Sequence, residues 1–261
     1  MMAHPNSDAE FLASLIRRAD RIVALTGAGL STAAGIPDFR GPQGLYVTRR
    51  YDPEKTFEID WFLRQPDYFY AFAADFIALL ARIRPTFSHY FLAALEQTGK
   101  LAAVVTQNID MLHQTAGNRR VIEIHGSPAS ATCCSCCEQL TALDLCWWQQ
   151  AMTQNPGTQV VRCSDCAGLL KPDIVFYGEP VQRMATAEAA VADCDLLLVL
   201  GTSLTVYPAA LLPEATTAPV IAVSQGDIAL DPAPHRYRFN TDLDHFCRTM
   251  AKHLNLTVVT D

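Results

Sequence analysis

Four short apolar runs, each ending in small polar residues, constrain this chain more than any other feature. Residues 21–26 (RIVALT) lead into Gly27-Ala28-Gly29, and residues 101–106 (LAAVVT) lead into Gln107-Asn108-Ile109-Asp110. Residues 195–200 (DLLLVL) lead into Gly201-Thr202-Ser203, and residues 219–223 (PVIAV) lead into Ser224-Gln225-Gly226. Apolar runs of this length without alternation predict strands buried on both faces. Helical patterns separate them. Ser7 and Glu10 have capping-box spacing ahead of an apolar stripe of Phe11, Leu12, Leu15 and Ile16. A second helix is expected over 86–98, ending before Gly99, and an Ala-rich third over 183–193. Alternating strands and helices predict an α/β fold built on a doubly wound parallel sheet. Such sheets bind ligands beyond the carboxyl ends of their strands, where all four polar clusters fall.

Two stretches break the alternation. Residues 37–80, rich in Pro, Gly and aromatics, are expected to form a lid loop and then helices. Residues 127–172 hold seven of the nine cysteines, six of them in two tight groups. Both read as insertions forming a smaller zinc-binding and helical lobe. The dinucleotide-binding domain is then discontinuous, over 1–36, 81–126 and 173–261.

Half of the residues are hydrophobic and 18% are charged, a globular composition. The 27 acidic and 20 basic residues give a net charge of −7, which argues against broad electrostatic binding of nucleic acid. The first ten residues carry no basic and apolar leader pattern, and the longest apolar runs are too short to cross a bilayer. A cytoplasmic location, with no nucleic-acid or membrane partner, is the expectation. An odd number of cysteines outside a secretory context disfavours a disulfide framework.

Five clusters could carry chemistry. Thr26-Gly-Ala-Gly-Leu-Ser31 reads as a strand-to-helix turn in which glycines admit a pyrophosphate, although Thr32 stands where a dinucleotide fingerprint has its third glycine. A tight turn without ligand uses the same residues. Gly35-Ile-Pro-Asp38-Phe39-Arg40-Gly41 reads either as a solvated loop or as a cover in which Phe39 shields a reactive centre. Gln107, Asn108 and Asp110, followed by His113, suit recognition of a carboxamide, or a simple helix cap. His125 follows a short apolar run and precedes Gly126; it is a candidate general base or a packed structural imidazole. Finally, Cys133-Cys134-Ser-Cys136-Cys137 and Cys163-Ser-Asp-Cys166 have the spacing of a four-thiolate zinc site. Cys133/Cys136 and Cys134/Cys137 both fit the first half. Four thiolates close the coordination shell, so one structural zinc per chain is expected. Cys146, Cys194 and Cys247 read as small buried hydrophobes.

Taken in order, Gly27 to Gly41, Thr106-Gln-Asn-Ile-Asp110, His125-Gly-Ser127, the cysteine pairs, Lys171-Pro-Asp-Ile-Val-Phe-Tyr-Gly-Glu179 and Gly201-Thr-Ser203 resemble the sirtuin family, NAD-dependent protein deacylases of the bacterial and archaeal type. The resemblance spans about residues 10 to 250 and implies a Rossmann-like NAD domain. It implies removal of acyl groups from a lysine protein or peptide, with release of nicotinamide, O-acyl-ADP-ribose and free lysine. It assigns NAD contacts to Gly27, Ala28, Gly29, Thr32, Asp38, Phe39, Arg40, Gln107, Gly201, Thr202, Ser203, Ser224, Asp242 and Leu243. Asn108, Ile109 and Asp110 would hold the nicotinamide carboxamide, Asn108 with a catalytic role. His125 would touch the nicotinamide-side ribose and take a proton from its hydroxyl. Val175, Phe176, Tyr177 and Gly178 would pair with the substrate backbone. Cys133, Cys136, Cys163 and Cys166 match the zinc ligands. Two departures are visible. Ser224 stands where many relatives have Asn. In the branch selective for anionic acyl groups a Tyr-x-x-Arg pair grips the carboxylate; here Tyr70 is followed by Ala73, which points to neutral acyl groups. An ADP-ribosyltransferase is the alternative reading. A dehydrogenase is disfavoured by the missing third glycine, and a zinc-ribbon binding module by the acidic charge.

Overall fold

The computed structural model describes residues 5–37, 51–154 and 157–260. It divides into two compact units, one of Met1–Ile36, Arg84–Ile124 and Arg183–Asp261, the other of Pro37–Ile83 and His125–Gln182. The strands among the described residues are, in chain order, β1 (Ile22–Thr26), β2 (Leu101–Thr106), β3 (Val121–Glu123), β4 (Gly126–Cys133), β5 (Gln139–Leu140), β6 (Leu170–Ile174), β7 (Leu196–Leu200), β8 (Val220–Ser224) and β9 (Arg236–Asn240).

In the first unit six strands lie in the order β3-β2-β1-β7-β8-β9, all pairs parallel. The four apolar runs are the four central strands, and β1 and β7 are buried at every position. Each Leu, Ile or Val enclosed there contributes about 1.5–3 kcal/mol relative to an exposed side chain. Leu12 and Ile16 of helix Pro5–Arg18, Phe91 and Leu92 of helix Phe87–Gln97, and Phe246 and Met250 of helix Leu243–Leu254 join the same core. Chain order reverses direction between β1 and β7, so the crevice at their carboxyl ends is the switch point where such sheets take ligands.

That crossing is packed through backbone alone. The Gly29 N–H donates to Gly201 O at 2.8 Å, and the Gly27 N–H donates to Leu200 O at 3.1 Å. Gly201 has φ +67°, and a Cβ there would lie 2.3 Å from Leu30 N.

Three expectations need correction. Residues 28–30 and 32–34 form two separate 3-10 turns, so no α-helix starts at the first glycine turn and no helix macrodipole points at it. Gly35, at φ +96°, stops the second turn, and the Thr32 hydroxyl donates to Gly29 O at 3.0 Å. The first helix begins at Pro5, so Ser7 lies inside it and is not its cap; Glu10 instead binds Arg17 and His253. Cys146 is exposed, because helix Leu145–Thr153 turns Trp148, Ala151 and Met152 inward; Cys194 and Cys247 are buried.

The second unit holds an antiparallel sheet in the order β5-β4-β6. It also contains helices Pro53–Phe57, Ile59–Arg64, Pro66–Leu80 and Leu145–Thr153. Its core is aromatic: Phe57, Phe62, Phe69, Phe72 and Phe176 meet mostly edge to face, with ring centroids 5.0–6.4 Å apart. Residues 125–126 and 173–182 belong here, because Gly126 pairs with Ile174 and Tyr177 pairs with the backbone at Phe57 and Ile59.

Gly201→Ala is expected to lower stability by about 2 kcal/mol or more, through both its left-handed backbone and the clash at Leu30. A chemical-denaturation midpoint measures it; an unchanged midpoint would show that the crossing tolerates a side chain.

Candidate active site

Polar groups at the carboxyl ends of β1, β2 and β7 are joined into a network within the first unit. Ser31 is its centre. The Ser31 hydroxyl donates to Asp110 Oδ2 at 2.6 Å, and Asn108 Nδ2 donates to Gly27 O at 3.1 Å and to Ser31 Oγ at 3.3 Å. The Leu112 N–H donates to Asp110 Oδ1 at 2.9 Å, which gives Asp110 the turn-capping role as well. Burial pushes the Asp110 carboxyl up from its ordinary pKa, and the hydrogen bonds from Ser31 and Leu112 pull it back. Gln107 Nε2 reaches across to Thr202 Oγ1 at 3.0 Å, and the Leu204 N–H donates to the same oxygen at 3.2 Å. Ser203 Oγ lies 2.9 Å from Thr205 Oγ1. These bonds fix Gln107, Asn108, Asp110 and Thr202 before any ligand arrives. Sequence reading placed Ser31 in a motif but gave it no role, since its partners lie 77 and 79 positions away.

Beneath this network are two buried imidazoles. His113 Nε2 lies 2.9 Å from Thr26 Oγ1, and the His113 and His89 rings are 4.8 Å apart. His89 Nδ1 accepts the Thr86 N–H at 3.2 Å and so caps helix Phe87–Gln97. His113 is therefore a packing group under the carboxamide-type cluster and not a member of it. Burial drives the pKa of both rings down, that of His89 well below its ordinary value and that of His113 to about 4.

The other expected positions are scattered. Thr32 is exposed, and Ala28 is half-buried. Ser224 ends β8 opposite Asn240 of β9. The Asp242 carboxylate caps the His245 N–H at 2.8 Å, and Leu243 is buried in the core, so both side chains have structural tasks. Asp38, Phe39 and Arg40 lie outside the described residues.

In the second unit, His125 O accepts the Val175 N–H at 2.8 Å, and Gly126 follows at φ +74°. A Cβ at Gly126 would lie 2.0 Å from Asp173 O, so the strand beside His125 can start only with glycine. Val175 is half-buried, Phe176 buried, and Tyr177 and Gly178 exposed. Tyr70 is fully buried, and its hydroxyl donates to Leu170 O. It is therefore a core residue whose hydroxyl already has a partner in the fold. Helix Pro66–Leu80 carries no Lys or Arg.

The Sγ atoms of Cys133, Cys136, Cys163 and Cys166 all lie within 4.8 Å of one another. Cys133 and Cys166 are 3.5 Å apart, and Cys136 and Cys163 are 3.8 Å apart. A zinc tetrahedron with metal–sulfur bonds of about 2.3 Å has sulfur–sulfur edges of about 3.8 Å, so the four residues fit zinc. Cys134 follows β4, its N–H donating to Leu169 O at 2.8 Å, but its thiol is outside the group. The geometry therefore selects Cys133/Cys136 over Cys134/Cys137.

A model of the Sir2 family matches residues 27–208. The chain is 45% identical over 204 residues to NAD-dependent protein deacetylase 1 of Pyrobaculum aerophilum, covering 77% of this chain and 76% of that protein. It is 39% identical over 244 residues to the NAD-dependent protein deacetylase of Thermotoga maritima, covering 92% and 95%. Among solved structures, a Sir2 protein with deacetylated p53 peptide and 3'-O-acetyl ADP-ribose superposes with a TM-score of 0.85 at 35% identity, covering 95% of this chain and 99% of that one. Fold and site together define a nucleotide-binding α/β protein with a four-cysteine zinc centre. The chain belongs to the Sir2 family.

Two outcomes follow. Cys136→Ala is expected to lose zinc and Cys134→Ala to keep it, as read by metal analysis of the purified proteins; equal zinc content in the two would reverse the assignment. Between about pH 6.5 and pH 4 the unfolded chain takes up a proton at His113 that the folded chain refuses, so stability present at neutral pH is lost as pH falls. His113→Gln should flatten the fall in unfolding midpoint over that window; an identical slope would rule out this contribution.

Proposed function

We propose that this chain is an NAD-dependent protein lysine deacetylase. It releases nicotinamide, O-acyl-ADP-ribose and free lysine. The observation that carries the reading is high-coverage identity with named NAD-dependent deacetylases, together with a prebuilt amide-and-carboxylate cluster at the sheet's switch point. The first unit serves as the NAD domain. The second unit holds the zinc module and the helical module.

When bound, NAD supplies an electrophilic ribose carbon with nicotinamide as leaving group. Asn108, Ile109 and Asp110 bind the carboxamide, with Ser31 holding the first and last in place. Gly27, Ala28, Gly29 and Thr32 line the phosphate side with Asp38 and Arg40, and Phe39 excludes water. Gln107 meets the nicotinamide-side ribose. Gly201, Thr202 and Ser203 meet the adenosine side, with Ser224 and the backbone at Asp242 and Leu243. His125 is the general base that takes a proton from a ribose hydroxyl. Val175 to Gly178 add the substrate peptide as a strand. Zinc at Cys133, Cys136, Cys163 and Cys166 supports the fold and meets no reacting atom. The absence of a cation on helix Pro66–Leu80 and the burial of Tyr70 favour neutral acyl groups. No described helix is long and apolar enough to cross a membrane, and we place the reaction in the cytoplasm.

An acetyl-lysine peptide incubated with and without NAD tests this. Deacetylation should require NAD, and a succinyl-lysine peptide should react poorly. His125→Ala should reduce kcat by roughly 10²–10⁴-fold with the fold retained. Loss of acetyl without NAD, or transfer of labelled ADP-ribose to protein without deacetylation, would overturn the reading in favour of another chemistry.

A further inference from the structure

One charged group in the second unit has no task in the scheme above. Glu179 Oε2 accepts the Phe176 N–H at 2.8 Å and Lys171 Nζ at 2.8 Å. Lys171 Nζ donates onward to Ile174 O at 2.8 Å and to Pro172 O at 3.3 Å, and lies 4.5 Å from the Phe176 ring centre. The two side chains are only 12% and 27% exposed, so the pair is largely shielded from water.

Between them lies the segment assigned to substrate pairing. The Glu179 N–H donates to Phe176 O at 3.0 Å, closing a four-residue turn with Gly178 at φ +93°. Inside that turn the Phe176 N–H has a carboxylate as its acceptor, a charge-assisted bond. The remaining edge is also tied down. The Tyr177 N–H donates to Phe57 O at 2.6 Å, and the Ile59 N–H donates to Tyr177 O at 3.1 Å. The Val175 N–H donates to His125 O. The turn that Glu179 closes thus sets the path of the same short segment that is bonded to the backbone of the proposed base.

We propose that Glu179, held by Lys171, is a positioning residue for peptide binding: it fixes the path of Val175–Gly178, from the end of β6 into the turn at Gly178, that a substrate strand must meet. This rests on the deacylase reading above. Glu179 touches no reacting atom; it acts by removing the freedom that the segment would otherwise lose on binding.

A fluorescence-polarisation titration of a labelled acetyl-lysine peptide, paired with separate steady-state KM values for peptide and for NAD, tests it. Glu179→Ala is expected to weaken peptide binding about tenfold, the scale of one charge-assisted hydrogen bond, while the NAD KM stays within about twofold. Glu179→Gln keeps an acceptor for the Phe176 N–H and should restore most of the affinity. Lys171→Met should weaken peptide binding in the same direction, and stands in if Glu179→Ala fails to fold. Peptide affinity within about twofold of the parent in Glu179→Ala or Lys171→Met overturns the proposal. So does a parallel rise in both KM values without rescue by Glu179→Gln, which marks general loss of structure. Failure of the parent protein itself to bind or deacetylate the peptide overturns the deacylase reading instead.

Discussion

The first unit depends on two backbones crossing at closer than side-chain distance. β1 and β7 run parallel with every residue buried, and the turns that leave them touch through the Gly29 N–H and the Gly201 carbonyl. No residue with a Cβ fits at Gly201 without displacing Leu30. Because that contact holds the two turns together, Thr202 is near enough for Gln107, and the oxygen of Gly27 is open to Asn108. The polar network is therefore a consequence of glycine packing. The glycines were weighed as makers of room for a phosphate; the structure gives them an additional and prior role in bringing the strand ends together.

The central strands were legible because burial on both faces leaves an uninterrupted apolar run, a signal that needs no partner to interpret. β9 was not legible. It is an edge strand, Arg-Tyr-Arg-Phe-Asn, half-exposed, and its polarity reads as loop. The 3-10 turns after β1 were read as a helix because glycine-then-small-residue patterns suit both; the left-handed Gly35 and the Thr32 hydroxyl decide between them. The zinc ligands were legible as a set through spacing, but the choice between overlapping pairs needed coordinates, since it turns on which thiols come together. Asp110 was named from local pattern, whereas Ser31, its hydrogen-bond partner, was invisible as such because nothing local connects positions 31 and 110. His113 shows the converse. It follows a polar motif in sequence, yet its ring lies in the interior with His89.

Histidine chemistry in this fold is separated by burial. Two imidazoles are enclosed and held neutral by desolvation, where they pack and cap. His125, by contrast, is half-buried immediately before a strand whose first residue must be glycine. Proximity to a conspicuous motif is thus a poorer guide to function than the environment that the ring meets.

β4 begins at Gly126, the residue after His125, and ends at Cys133, a metal ligand. One eight-residue strand, its pairing with β6 interrupted between Ser127 and Ala131, joins the proposed base to the zinc centre. The proposed base and the first metal ligand are thus linked through one short stretch of covalent structure. Anything that strips zinc releases the far end of that strand, and the strand's near end carries the imidazole. Chelation would therefore act on this protein as a loss of alignment transmitted along that one stretch of backbone, with the reacting groups themselves chemically untouched.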